Sequence, residues 1–142
     1  MLAPDSTPAP AVPSFSARQA ELLDALESLV MKQRFRDVGV GEIAARLNCS
    51  RSTLYAIAPS KEELFLLVVD RVLRRIESAA LEGAARRRTP AARLSGYLER
   101  ALDEIRRLGP PFLSEMQASA ATRQRLAVFQ RTIISQMTAL IE

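Results

Sequence analysis

Between Val40 and Pro59, two short stretches of helical apolar spacing are separated by only three residues, Asn48-Cys49-Ser50. This tight break constrains the fold more than any other feature of the chain. The first stretch, about Val40 to Leu47, repeats Ile43, Ala44 and Leu47 on one face. Asn48 is a residue that tolerates the left-handed backbone such a turn often needs. Ser50 is a good N-cap for a second short helix, Arg51 to about Ile57. Pro59 closes it. Two helices this short bury little on their own, so longer helices must brace them.

The flanks supply that bracing. Ser16 with Gln19 three residues on reads as a capping box, and Leu22, Leu23, Leu26, Leu29 and Val30 then share one face. Phe35 follows, and Arg36 to Gly39 make a short connection. Ser60 with Glu63 reads as a second capping box, opening a long helix expected to run to about Leu81 and to end at Gly83. Arg86-Arg87-Arg88 reads as a solvated linker. Thr89-Pro90 starts a fifth helix, with Pro at its first position. Leu94, Tyr97, Leu98, Ala101, Leu102 and Ile105 form its apolar face. Gly109-Pro110-Pro111 stops it, a short helical piece covers about Phe112 to Ser119, and a last helix from about Thr122 carries Leu126, Phe129, Ile133, Met137, Leu140 and Ile141. The fold expected is all-α, with a head at residues 15–62 and a helical regulatory domain at 63–142. Its apolar last turn suggests that more chain belongs after it. Residues 1–14, rich in Pro, Ala and Ser, read as a disordered tail.

Two short helices joined by a tight turn and braced by longer ones form a helix-turn-helix. Ala44 is small where the helices cross, and Ile43, Leu47 and Leu54 form the wedge between them. The polar face of the second helix is left outward, where its first turn fits a major groove. Double-stranded DNA is therefore the expected partner.

Residue types narrow the alternatives. The chain has no His and no Trp, and Cys49 is its only cysteine. Without His, the commonest general base and metal ligand are missing, and no Cys/His spacing for a metal exists. Adjacent acids such as Glu62 and Glu63, or Asp103 and Glu104, diverge by about 100° on a helix and do not converge on one atom. No enzyme, metal or cofactor is expected. Cys49 reads as a small turn residue, and a single cysteine fits a reducing cytoplasm. No apolar run is long enough to span a membrane.

The strings Gly41 to Tyr55 (Gly-Glu-Ile-Ala-Ala-Arg-Leu-Asn-Cys-Ser-Arg-Ser-Thr-Leu-Tyr) and Pro59 to Phe65 (Pro-Ser-Lys-Glu-Glu-Leu-Phe) resemble the TetR-type bacterial regulators. The strong likeness covers about residues 20–70. It implies that Arg51 and Ser52 approach base edges, that Thr53 and Tyr55 touch phosphates or a thymine methyl, and that Lys61 meets a phosphate. An Arg pairing with guanine gives about 1–3 kcal/mol of discrimination. It also implies a regulator, usually a repressor, that binds operator DNA as a homodimer when its C-terminal helices are complete. A small effector would sit among those helices, with Tyr97, Phe112, Met116 and Phe129 as possible lining. The same four residues serve a plain helical core equally well.

Three positions depart from the family pattern. Gly39 stands where a hydroxyl often caps the helix and reaches phosphate, so it offers only its backbone N–H. Ile57 and Ala58 replace a polar or aromatic residue and a core Phe. Net charge is +4, yet residues 1–62 hold seven basic and seven acidic side chains. Motif geometry, not bulk charge, carries the DNA expectation. The competing reading is a helical protein-interaction module with a degenerate helix-turn-helix.

Overall fold

The computed structural model describes residues 14–142; the tail expected at 1–14 lies, but for Ser14, outside the described residues. The described chain is wholly helical: α1 (Ala17–Lys32), a 3-10 turn (Phe35–Asp37), α2 (Val40–Arg46), α3 (Arg51–Ile57), α4 (Lys61–Ala85), α5 (Pro90–Ile105), α6 (Pro110–Met116) and α7 (Ala120–Ile141). No described helix is long and apolar enough to cross a membrane.

Local chemistry sets most helix starts. Ser16 accepts from the Gln19 N–H at 3.1 Å while the Gln19 side chain accepts from the Ser16 N–H at 3.0 Å, completing the expected box. Ser50 and Thr89 cap α3 and α5 through the N–H groups of Thr53 and Ala92. Ser60 accepts from the Glu63 N–H at 3.1 Å, but the reciprocal Glu63 bond is not formed, so only half of the second box exists. Ser119 caps α7, which starts at Ala120, two residues before the expected point.

One core runs through head and body. Leu23, Val30, Ile43, Val68 and Val69 are fully buried, and Phe35 stacks on Phe65 with ring centroids 5.4 Å apart. Phe65 in turn meets Phe112 of α6 at 5.9 Å. The sequence division at residue 62 is therefore not a packing boundary. The α6 start leans on α1: a Cβ at Gly109 would lie 2.7 Å from the Met31 carbonyl carbon. The Gly109-Pro110-Pro111 run thus does more than stop α5. It caps and opens α6, with Pro at its first positions, where the missing N–H costs nothing.

Gly83 departs from expectation most clearly. It does not end α4, which continues to Ala85. It faces Gly96 of α5, and a Cβ at 83 would lie 2.6 Å from Arg100 Cγ and 2.8 Å from the Gly96 carbonyl carbon. The two glycines let α4 and α5 touch backbone to backbone, a reason for Gly that helix propensity does not reveal.

The apolar face read on α5 is wider than the face it buries. Tyr97 and Ala101 are buried, whereas Leu98, Leu102 and Ile105 are exposed. On α7 only Thr122 is buried; Leu126, Phe129, Ile133, Met137 and Leu140 are partly covered, and Ile134 and Ile141 are exposed. Tyr97, Phe112 and Met116 lie in the sealed core. Tyr97 donates to Gln136 Oε1 at 2.7 Å, and Gln136 Nε2 donates to Glu77 at 2.7 Å, a polar ladder across α5, α7 and α4.

Candidate nucleic-acid interface

The α2–turn–α3 unit is built as its residue types require. Ile43, Ala44, Leu47 and Leu54 are all buried. Asn48 adopts φ 53°, the left-handed conformation, which costs Asn less than other L residues. The Cys49 N–H returns to the Ala44 carbonyl at 2.9 Å, closing the turn.

This geometry presents the first turn of α3 to solvent. Arg51 and Ser52 are exposed. Thr53 is half-buried, and its hydroxyl lies 2.9 Å from Ser50 Oγ, so it shares the helix cap. Tyr55 is 47% exposed, which leaves its ring and hydroxyl available at the surface. The Arg51 guanidinium rests over α2 at Gly41, where an added Cβ would come within 3.1 Å of Arg51 Cζ and closer to Nη2. That Gly41 makes room for the Arg51 side chain was not read from the sequence. Its signal was a Gly inside a short helix, where it costs about 1 kcal/mol relative to Ala unless something must approach closely.

Lys61 opens α4. Its Nζ lies 5.1 Å over the Phe35 ring and donates to the Arg36 carbonyl at 3.3 Å. Gly39 caps α2 with no side-chain bond, and nothing stands within 4 Å of a Cβ placed there. Ile57 is partly buried, and Ala58 is buried at the end of α3.

The formally neutral head is not electrostatically uniform. Glu21, Asp37 and Glu42 pair with Arg18, Arg34 and Arg46 of the head itself. Asp24 and Glu27 pair instead with Arg71 and Arg75 of α4. The Glu27 side chain is only 12% exposed, and its bond to Arg75 holds that guanidinium's pKa above its ordinary value. Asp24 and Glu27 are thus neutralised by α4 rather than by bases of the head. Among the described residues, no carboxylate lies within 4.0 Å of Arg51 or Lys61.

Two short buried-face helices, a left-handed three-residue turn and an exposed cationic start to the second helix define a helix-turn-helix head. Residues 22–68 match the profile of the bacterial regulatory proteins, tetR family, and the head is of that type. The chain is 32% identical over 66 residues to the HTH-type transcriptional regulator EthR of Mycolicibacterium smegmatis, covering 46% of this chain and 30% of the relative. It is 38% identical over 84 residues to the uncharacterized HTH-type transcriptional regulator Rv1255c of Mycobacterium tuberculosis, covering 56% of this chain and 42% of the relative. The matched part therefore spans less than half the length of either relative.

Proposed function

We propose that this chain is a DNA-binding transcriptional regulator of the cytoplasm, acting as a repressor that a small effector releases. The exposed first turn of α3, with no carboxylate within 4.0 Å of Arg51 among the described residues, on a TetR-type head, carries the reading. Arg51 and Ser52 would contact base edges. Thr53, Tyr55, Lys61 and the Gly39 N–H would contact the sugar-phosphate backbone, which positions a protein without reading sequence. Two heads in a homodimer would enter successive major grooves about 34–36 Å apart.

Selection of bound duplexes from a random pool, followed by anisotropy titration on the recovered sequence, tests this. A two-fold symmetric site is expected. Affinity should fall steeply with salt, by a log–log slope of about −0.9 per phosphate neutralised. Arg51→Ala should lower affinity by about tenfold or more and relax selectivity at one base pair. No enrichment of any sequence at low salt would refute the proposal.

The exposed apolar residues of α5 and α7 favour one second reading, a helical protein-interaction module. It requires partner capture that persists in Arg51→Ala and shows no DNA dependence.

A further inference from the structure

A cavity lies where head meets body. Its volume is about 560 Å³, within the range of small-molecule sites. Four elements wall it: the 3-10 turn, the first two turns of α4, the end of α6 and the start of α7. Tyr97, Phe112, Met116 and Phe129 are not among its lining residues.

Its chemistry is two-sided. Phe35, Phe65 and Leu66 supply an apolar wall. Lys61 and Arg36 supply positive charge. Arg36 spends its Nε on the buried carboxylate of Glu115 at 2.9 Å, which fixes the guanidinium. Lys61 has no carboxylate within 4.0 Å among the described residues, and its ammonium is held only by a carbonyl oxygen and the Phe35 ring. An ammonium keeps three donors, and here a single one has an oxygen partner. Glu62 on the same wall disfavours a multiply charged anion.

We propose that this cavity binds a small apolar monocarboxylate, its apolar body against Phe35, Phe65 and Leu66 and its carboxylate on Lys61. Resting on the DNA-binding reading above, the same lysine is shared: bound to the carboxylate inside the cavity, it is withdrawn from operator phosphate. Ligand and DNA then compete for one ammonium, and linkage requires each to weaken the other.

The probe is 2-naphthoate, titrated calorimetrically into the full chain without DNA, with neutral 2-naphthamide as its control. One site per chain is expected, and the amide should bind at least about tenfold more weakly, because a charged hydrogen bond is lost. Lys61→Met should weaken naphthoate by a similar factor. Ala121→Trp, an exposed lining position, should block it by filling the cavity while leaving DNA affinity unchanged. No naphthoate binding at millimolar concentration, equal binding of the amide, or binding that survives both variants would overturn the site. Where the selected duplex binds, naphthoate should weaken it in the wild-type chain and leave it unchanged in Lys61→Met. Naphthoate binding with no such effect on DNA would overturn the shared lysine. Should no duplex bind, the DNA reading fails on its own, and the titration without DNA still decides the site.

Discussion

Gly83→Ala replaces a poor helix former inside a 25-residue helix, and on propensity alone it should stabilise α4 by about 1 kcal/mol. The tertiary structure reverses the sign. The new Cβ would stand 2.8 Å from the Gly96 carbonyl carbon and 2.6 Å from Arg100 Cγ. Arg100 is flexible and can turn away, whereas the Gly96 backbone cannot. The Gly96 carbonyl oxygen is closer still, so restoring ordinary contact requires α4 and α5 to part by roughly 1 Å at the crossing. Ala80, Ala84, Tyr97 and Ala101 are buried close by in sequence on the same two helices and would lose contact with the opposite wall. A gap of 0.5–1 Å forfeits roughly a quarter to a half of each dispersion well. Overpacking of this kind costs about 1–3 kcal/mol. Net destabilisation of about 1–2 kcal/mol is expected, a fall of roughly 4 °C in Tm per kcal/mol.

Gly41→Ala is the internal control. It makes the same change inside α2, but its nearest neighbour is the flexible end of Arg51. It should stabilise by up to about 1 kcal/mol. Urea unfolding followed by circular dichroism measures both. A rise in the midpoint for Gly83→Ala, or a fall for Gly41→Ala comparable to that of Gly83→Ala, would refute the close-crossing argument.

Gly39→Ser should raise stability by a few tenths of a kcal/mol, since the position has cap geometry and open space for the hydroxyl; it should also tighten DNA binding by adding a phosphate contact, read by anisotropy. Glu27→Gln should cost about 1–2 kcal/mol in urea unfolding, because it leaves Arg75 without its carboxylate while Arg71 keeps Asp24; the loss stays below the roughly 3–5 kcal/mol of a fully buried pair, as Arg75 is half exposed. Burial first, and the Glu77 charge second, push the Tyr97 phenol above its ordinary pKa of 10.0. The folded chain then keeps a proton that the unfolded chain releases, so this contribution is full below about pH 10 and is lost as pH rises through the folded value. Tyr97→Phe should be less stable at pH 7 by about 1 kcal/mol, from the lost bond to Gln136, yet show a shallower alkaline decline; an unchanged slope would contradict the assignment.

What the sequence by itself determined was local. Ser16, Ser50 and Thr89 start helices because their hydroxyls bond N–H groups three residues away, a distance the sequence contains. Asn48 marks the turn because its cost in the left-handed region is intrinsic. Ile43, Ala44, Leu47 and Leu54 were legible as the wedge because helical periodicity fixes their common face.

Tertiary structure decided whatever depended on a distant neighbour. Gly83 reads as a stop until Gly96 is seen against it, and Gly109 until Met31 is. The head's seven acids formally cancel its seven bases until Asp24 and Glu27 are found on Arg71 and Arg75, some 47 and 48 residues along the chain. Tyr97 and Phe112 carry the same apolar signal whether they line a pocket or seal a core, and only packing places them in the core. The cavity beside Lys61 joins side chains of the 3-10 turn, the start of α4 and the α6–α7 junction, a conjunction that no periodicity encodes. Caps, turns and faces follow from bonds within a few residues; close approach, charge pairing and enclosed space exist only once separate helices meet.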